Sequence, residues 1–241
     1  MSGHSKWSTI KRKKEALDQK RGKIFTKLIK EITVAAKIAG GDVDANPRLR
    51  LAVDNAKSAN MPMDNIERAI KKATGELEGV TYLELLYEGY GPSGVAFIVE
   101  CLTDNKNRTV ADVRHLFTKY GNGLGESGSV AWMFDRKGVI TLPIQGKEED
   151  DILEIILEAG ADDLQTEEDF FEVTTSVDSF ETVRKALADS QLEIENASLQ
   201  WIAKNTIEVE GEASEKVEKL FDMLEDSDDV QNVYSNADFQ E

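Results

Sequence analysis

The sequence predicts an α+β protein: an N-terminal three-helix module followed by two ferredoxin-like or related α+β sandwich domains, one inserted in the other. Three observations carry this. Between residues 23 and 75 apolar side chains recur every three or four positions, the period of packed helices. After Glu76 the texture changes to short apolar runs punctuated by glycine. Over residues 138–203 the patterns follow the order βαββαβ. The boundaries are 1–75 for a basic arm and helical domain, 76–137 plus 204–241 for a discontinuous α+β domain, and 138–203 for an acidic insert.

Residues 4–21 carry Lys6, Lys11, Arg12, Lys13, Lys14, Lys20 and Arg21, with Trp7 and Ile10 as the early apolar side chains. Seven cations with so little apolar material predict a mobile arm. A basic arm with an aromatic suits nucleic acid, because cations neutralise phosphates and Trp7 can stack on a base. From Lys23 to Ala39 the pattern predicts a helix with Ile24, Leu28, Ile32, Ala35 and Ala39 on one face. Lys20, Lys23, Lys27, Lys30 and Lys37 gather on another, and Gly40-Gly41 ends the helix.

Asn46-Pro47 predicts the start of a second helix, a capping side chain before proline at the first helical position. It carries Arg48, Arg50 and Lys57. Asp64 and Glu67 fit a D-x-x-E variant of the capping box for a third helix, which buries Ile66, Ala69, Ile70 and Ala73 and stops at Gly75. The run Asp42-Val43-Asp44-Ala45-Asn46 resembles the opening of a calcium loop. Pro47 and Val53 stand where such a loop needs glycine and glutamate, which excludes calcium.

The runs LELLYEGY and VAFIVECLTD predict two strands joined through Gly91-Pro92-Ser93-Gly94. Asn107 to Tyr120 predicts an amphipathic helix with Val110, Val113, Leu116 and Phe117 inward. Gly123, Gly125 and Gly128 match G-x-G-x-x-G, but after a helix and before a strand. Dinucleotide binding needs the reverse order, so a flexible connection is expected. In 138–203, GVITLP, ADDLQ, FFEVTTS and ASLQWIA predict strands, and DDILEIILEAG and SFETVRKALADS predict helices. In the tail, TIEVEG, SEKVEKLFDMLED and VQNVYS predict strand, helix and strand, completing the domain begun near residue 82.

Charge divides the chain. Residues 1–39 hold eleven Lys or Arg against three Asp or Glu, in a protein of net charge −17. Residues 1–75 balance at +9 and residues 76–241 at −26. A basic head on an acidic body predicts a polyanion partner for the head, or attraction between head and body within one molecule or across a dimer. The insert, at −14, is a poor candidate for gripping phosphate. No apolar run approaches the ~20 residues that span a bilayer. Cys101 is the lone cysteine, so no intrachain disulfide exists; a reducing, cytoplasmic setting follows, with Cys101 in the core. The two histidines, His4 and His115, form no ligand pair. No metal and no cofactor are expected.

Several runs match a known family. HSKW at 4–7, the Gly40–Arg50 run, NMP at 60–62 and YEGYGPSGVA at 87–96 resemble the YebC/PmpR proteins. So do LTDNKNRT at 102–109, LGESGSVAWMF at 124–134 and DDVQNVYSNAD at 228–238. The resemblance covers essentially the whole chain in order. It implies a three-domain cytoplasmic protein, described in that family as a probable transcriptional regulator that binds DNA. Mitochondrial relatives are described as translational activators, and some bacterial members have been linked to the ribosome.

The function expected is therefore a non-enzymatic, nucleic-acid-binding regulator of gene expression, a DNA-binding transcriptional regulator; an RNA- or ribosome-associated translation factor is the alternative. No nucleophile–base signature, phosphate loop or metal-ligand spacing points to catalysis, and no small-molecule substrate is expected. The contact residues expected are Lys6, Trp7, Lys11, Arg12, Lys13, Lys14, Lys20, Arg21, Lys23, Lys27, Lys30, Lys37, Arg48 and Arg50. The loop-like runs YEGYGP and TDNKNRT suggest a second contact surface through Tyr87, Tyr90, Asn105, Lys106 and Arg108, or turn chemistry alone. The acidic domains offer surfaces for protein partners.

Overall fold

The computed structural model describes residues 17–144, 146 and 148–239, with side chains described from residue 22 onward. The helical module consists of α1 (Leu17–Ala39), α2 (Pro47–Ser58) and α3 (Met63–Thr74). The first helix starts at Leu17, so residues 17–21 are helical where an arm was expected. Its packed stripe is Phe25, Leu28, Ile29, Ile32, Ala35 and Ala36; Ala39, assigned inward, is exposed. Asn46 caps α2 as expected, its side chain accepting from the Leu49 amide. Its Nδ2 also donates to the carbonyls of Ala35 and Gly40, pinning the α1–α2 turn. The capping box on α3 does not form: Pro62 precedes the helix and no side chain caps it. Small residues let the helices approach closely, with Leu49, Ala52, Ala56, Ile66 and Ala69 all buried between them.

The middle sheet has the order β3-β1-β2-β9, from β1 (Leu83–Tyr90), β2 (Ala96–Thr103), β3 (Gly123–Leu124) and β9 (Val230–Ser235), every neighbouring pair antiparallel. One face of β2 points Phe97, Val99 and Cys101 at α4 (Lys106–Tyr120) and α7 (Gly211–Glu225). Phe97 meets Phe117 edge-to-face, ring centroids 6.0 Å apart. The other face, Ala96 and Ile98, packs with Phe134, Tyr234, Trp201 and Ala203. Burial on both sides is why β2 reads as a continuous apolar run. Gly89 is required beside this core: a Cβ there would stand 2.6 Å from the Phe117 ring.

The second sheet has the order β5-β6-β4-β7, from β4 (Phe134–Pro143), β5 (Asp163–Thr166), β6 (Phe170–Thr175) and β7 (Asn196–Ala203). Helices α5 (Glu149–Ala159) and α6 (Phe180–Asp189) cover it through Ile152, Ile156, Val183 and Leu187. All neighbouring pairs are antiparallel, the ferredoxin-like arrangement that βαββαβ implies. β4 begins four residues before the expected boundary at 138, and its first residue, Phe134, pairs with Ala203. The tail also differs from expectation. β8 (Ile207–Val209) joins no large sheet but pairs in parallel with β10 (Ala237–Phe239), a strand the sequence did not announce.

Candidate nucleic-acid interface

The lysines of α1 are the residues the sequence pointed to, and the structure turns several of them inward. The segment from Glu225 to Asp229, linking α7 to β9, supplies their partners. Lys23 Nζ donates to the Asp226 carboxylate and carbonyl, both at 3.0 Å. Lys27 donates to the Glu225 carbonyl at 3.0 Å. Lys30 donates to the carbonyls of Leu102 and Asp228 and to Asp229 Oδ1, at 3.1, 2.7 and 3.0 Å. With 7% of its surface exposed, Lys30 has no face left for a phosphate.

Asp229 is the centre of this joint. Its Oδ2 accepts from Arg108 Nη2 at 2.7 Å, Thr109 at 2.9 Å and Thr103 at 3.2 Å, while Oδ1 holds Lys30. Burial alone would raise its pKa; hydrogen bonds from Arg108, Lys30 and Thr109 outweigh that and hold it at about 2. Asn105 is the N-cap of α4, accepting from the Arg108 amide. The run TDNKNRT therefore has a packing purpose: Thr103, Asn105, Arg108 and Thr109 build the socket that receives the helical module.

The remaining expected contacts are also placed. Lys6, Trp7, Lys11, Arg12, Lys13 and Lys14 lie outside the described residues; Lys20 and Arg21 lie in α1, their side chains outside the description. Lys37 donates to Thr81 Oγ1 at 2.7 Å. Arg48 bridges Glu31 and Glu84 at 2.8 and 2.9 Å. Arg50 pairs with Glu181 and donates to the Asp44 carbonyl, and Arg184 joins Glu181 to Asp54, tying α2 to the second sheet's helices. Attraction between head and body within one molecule, the alternative the charges allowed, is what Lys23, Lys27, Lys30, Arg48 and Arg50 express.

The other loop run also has an internal use. Glu88, 4% exposed, accepts from the amides of Gly128, Val130 and Ala131 at 2.7–2.8 Å. Its burial opposes ionisation, but the three amides win and lower its pKa. Tyr90 donates to the Ser129 carbonyl of the same loop. Tyr87 is half-buried, its hydroxyl enclosed without a hydrogen-bond partner among the described residues; burial pushes its pKa up. The glycine-rich stretch is thus pinned where a flexible connection was expected. It presents Trp132, 66% exposed, with Nε1 donating to the Ser129 carbonyl. Of the second contact set, Lys106 alone is exposed without an internal bond among the described residues.

Between the two sheets, Glu100 accepts from Arg136 at 2.6 Å, Trp201 Nε1 at 3.0 Å and Asn232 at 2.8 Å. Burial raises the Cys101 thiol to about 12, an inert core side chain. Among the described residues no group of three or more His, Cys, Asp or Glu is placed to hold a metal ion, and no helix is long and apolar enough to cross a membrane.

Comparison with known proteins assigns both parts of this architecture. Residues 5–76 match the family model described as the TACO1/YebC protein N-terminal domain, and residues 82–237 the one described as the TACO1/YebC second and third domain. A probable transcriptional regulatory protein of Chlorobaculum parvum is 57% identical over all of this chain and 96% of its own length. A similarly named protein of Desulforapulum autotrophicum is 58% identical over 99% of this chain and 96% of its own. The crystal structure of a conserved hypothetical protein from Aquifex aeolicus superposes with a TM-score of 0.86 at 46% identity, covering 93% of each chain.

Proposed function

This chain belongs to the TACO1/YebC family, and from that premise we propose that it is a non-enzymatic regulator of gene expression that binds nucleic acid through its N-terminal cations. The observation that carries the reading is the division of labour among the basic residues. Lys23, Lys27, Lys30, Arg48 and Arg50 are engaged inside the molecule. Phosphate contact therefore falls to Lys6, Lys11, Arg12, Lys13, Lys14, Lys20 and Arg21, and to Lys37, whose bond to the Thr81 hydroxyl leaves its charge in place, with Trp7 available to stack. Contacts of this kind position a protein on a backbone without reading sequence.

The relatives' printed names favour DNA and transcription. A second reading, RNA on a ribosomal particle, is favoured by the acidic body, since a −26 surface resists close approach along a long duplex. Titration of the full-length protein with duplex DNA and with a structured RNA across a salt series tests both. With about six phosphates neutralised, log Kd against log salt has a slope of magnitude ~5 on the duplex. Tighter binding to RNA selects the translation reading, and a slope near zero on both probes refutes nucleic-acid binding.

A further inference from the structure

Helix α4 reverses the sign of the body it belongs to. Residues 76–241 hold 12 basic and 38 acidic side chains. α4 contributes Lys106, Arg108, Arg114 and Lys119 against Asp112 alone, leaving 8 basic against 37 acidic in the rest. The helix buries Thr109, Val113 and Phe117, so Arg114, His115, Thr118 and Lys119 face outward, all exposed. Arg108 is neutralised by Asp229 and Asp104. Arg114 and Lys106 make no ion pair among the described residues, and Lys119 lies 4.9 Å from the Tyr120 ring, a contact that leaves its charge in place. Lys106 stands in the first turn, seven residues before Val113, and so lies over the buried stripe rather than on the outward face.

We infer that the exposed face of α4, flanked by Arg114 and Lys119 with His115 and Thr118 between them, is a second surface for the sugar–phosphate backbone of the nucleic acid held by the N-terminal cations. The inference rests on the nucleic-acid reading above. Charge complementarity selects the ligand: a basic strip within an acidic surface attracts a polyanion and restricts where it lies. Position selects it too. Asp229 holds Lys30 of α1 and Arg108 of α4 on its two oxygens, so α4 is joined to the helix whose first turns carry Lys20 and Arg21. Arg114 and Lys119 are separated by a rise of about 7.5 Å and a rotation of about 140°, so they border the outward face on its two sides.

The test measures full-length protein binding a fluorescein-labelled 20-nucleotide single-stranded RNA and a duplex DNA of the same sequence across a salt series. Arg114→Ala with Lys119→Ala is compared with Lys11→Ala, Arg12→Ala, Lys13→Ala and Lys14→Ala combined. Lys185→Ala with Lys216→Ala provides the same charge change at exposed sites elsewhere. The α4 variant is expected to lower the slope magnitude by about 1.4 on RNA or 1.8 on duplex, two phosphates' worth, and to weaken binding on the order of tenfold at 0.1 M salt. Its melting temperature is expected to match the parent's. An unchanged slope in the α4 variant, with binding weakened in the arm variant, removes the inference and leaves the function standing. Equal weakening by the Lys185/Lys216 control also removes it, because net charge then suffices. A parent protein that binds neither probe overturns both.

Discussion

Lys30 and Asp229, 199 residues apart in the chain, form an ion pair of 3.0 Å with side chains only 8% and 9% exposed. Isolating either charge in such a site is costly, because desolvation is no longer offset by a partner. Asp229→Ala is therefore expected to destabilise the protein by about 3–5 kcal/mol. Asp226→Ala, which removes the half-exposed partner of Lys23, is expected to cost less than about 1 kcal/mol. Urea unfolding of both variants makes the comparison, and similar losses would contradict the ranking.

The same carboxylate sets an acid limit. Asp229 is held at about 2 in the folded protein against an ordinary value near 3.8. A depressed carboxylate adds stability that is present above its unfolded pKa and lost as pH falls through the folded one. Its contribution is thus expected to disappear between about pH 4 and pH 2. Unfolding midpoints of the parent measured down this range are expected to fall more steeply than those of Asp229→Asn.

Glu88→Gln tests the loop that carries Trp132. The amide offers one acceptor oxygen where two carboxylate oxygens received three backbone donors. A cost of about 1–3 kcal/mol is expected. Hydrogen exchange is expected to speed up at Gly128, Val130 and Ala131 before it changes in β2. Equal protection in the two proteins would show the loop to be held by other contacts.

Glu100→Ala addresses the contact between the two sheets. It strips acceptors from Arg136, Trp201 and Asn232 together, and a loss of about 2–3 kcal/mol is expected. Arg136, 5.2 Å from the Trp201 ring, keeps that contact. A shift of Trp201 fluorescence with far-ultraviolet dichroism unchanged would mark a loosened interface on an intact fold.

The elements with strong period were legible in the sequence: α2 with its Asn46 cap, α4, and the βαββαβ order of the insert. Starts and edges were less so. Leu17–Arg21 is cation-rich, which concealed its helix, and β10 is too short for a pattern. The internal partners of the α1 lysines were hidden for a different reason. Periodicity shows which residues share a helix face but not what another domain brings against it. Lys23, Lys27 and Lys30 read as a free phosphate face because their acceptors lie at Leu102 and in residues 225–229 and are mostly backbone carbonyls, which every residue possesses. Glu100 did leave a trace: a lone carboxylate inside VAFIVECL needs a partner when buried. Glu88 left a fainter one, placed between Tyr87 and Gly89 in a strand.

The late position of Asp229 also fixes a timetable for synthesis. At 5–20 residues per second, about 10–40 seconds separate the translation of Lys30 from that of the carboxylate that receives it. β9, which completes the middle sheet, appears only after that. Throughout the interval a nascent chain exposes Lys23, Lys27 and Lys30 along with the cations that precede them. The newborn protein is therefore a stronger polycation than the finished one, and closing the joint ties up three of those ten cations.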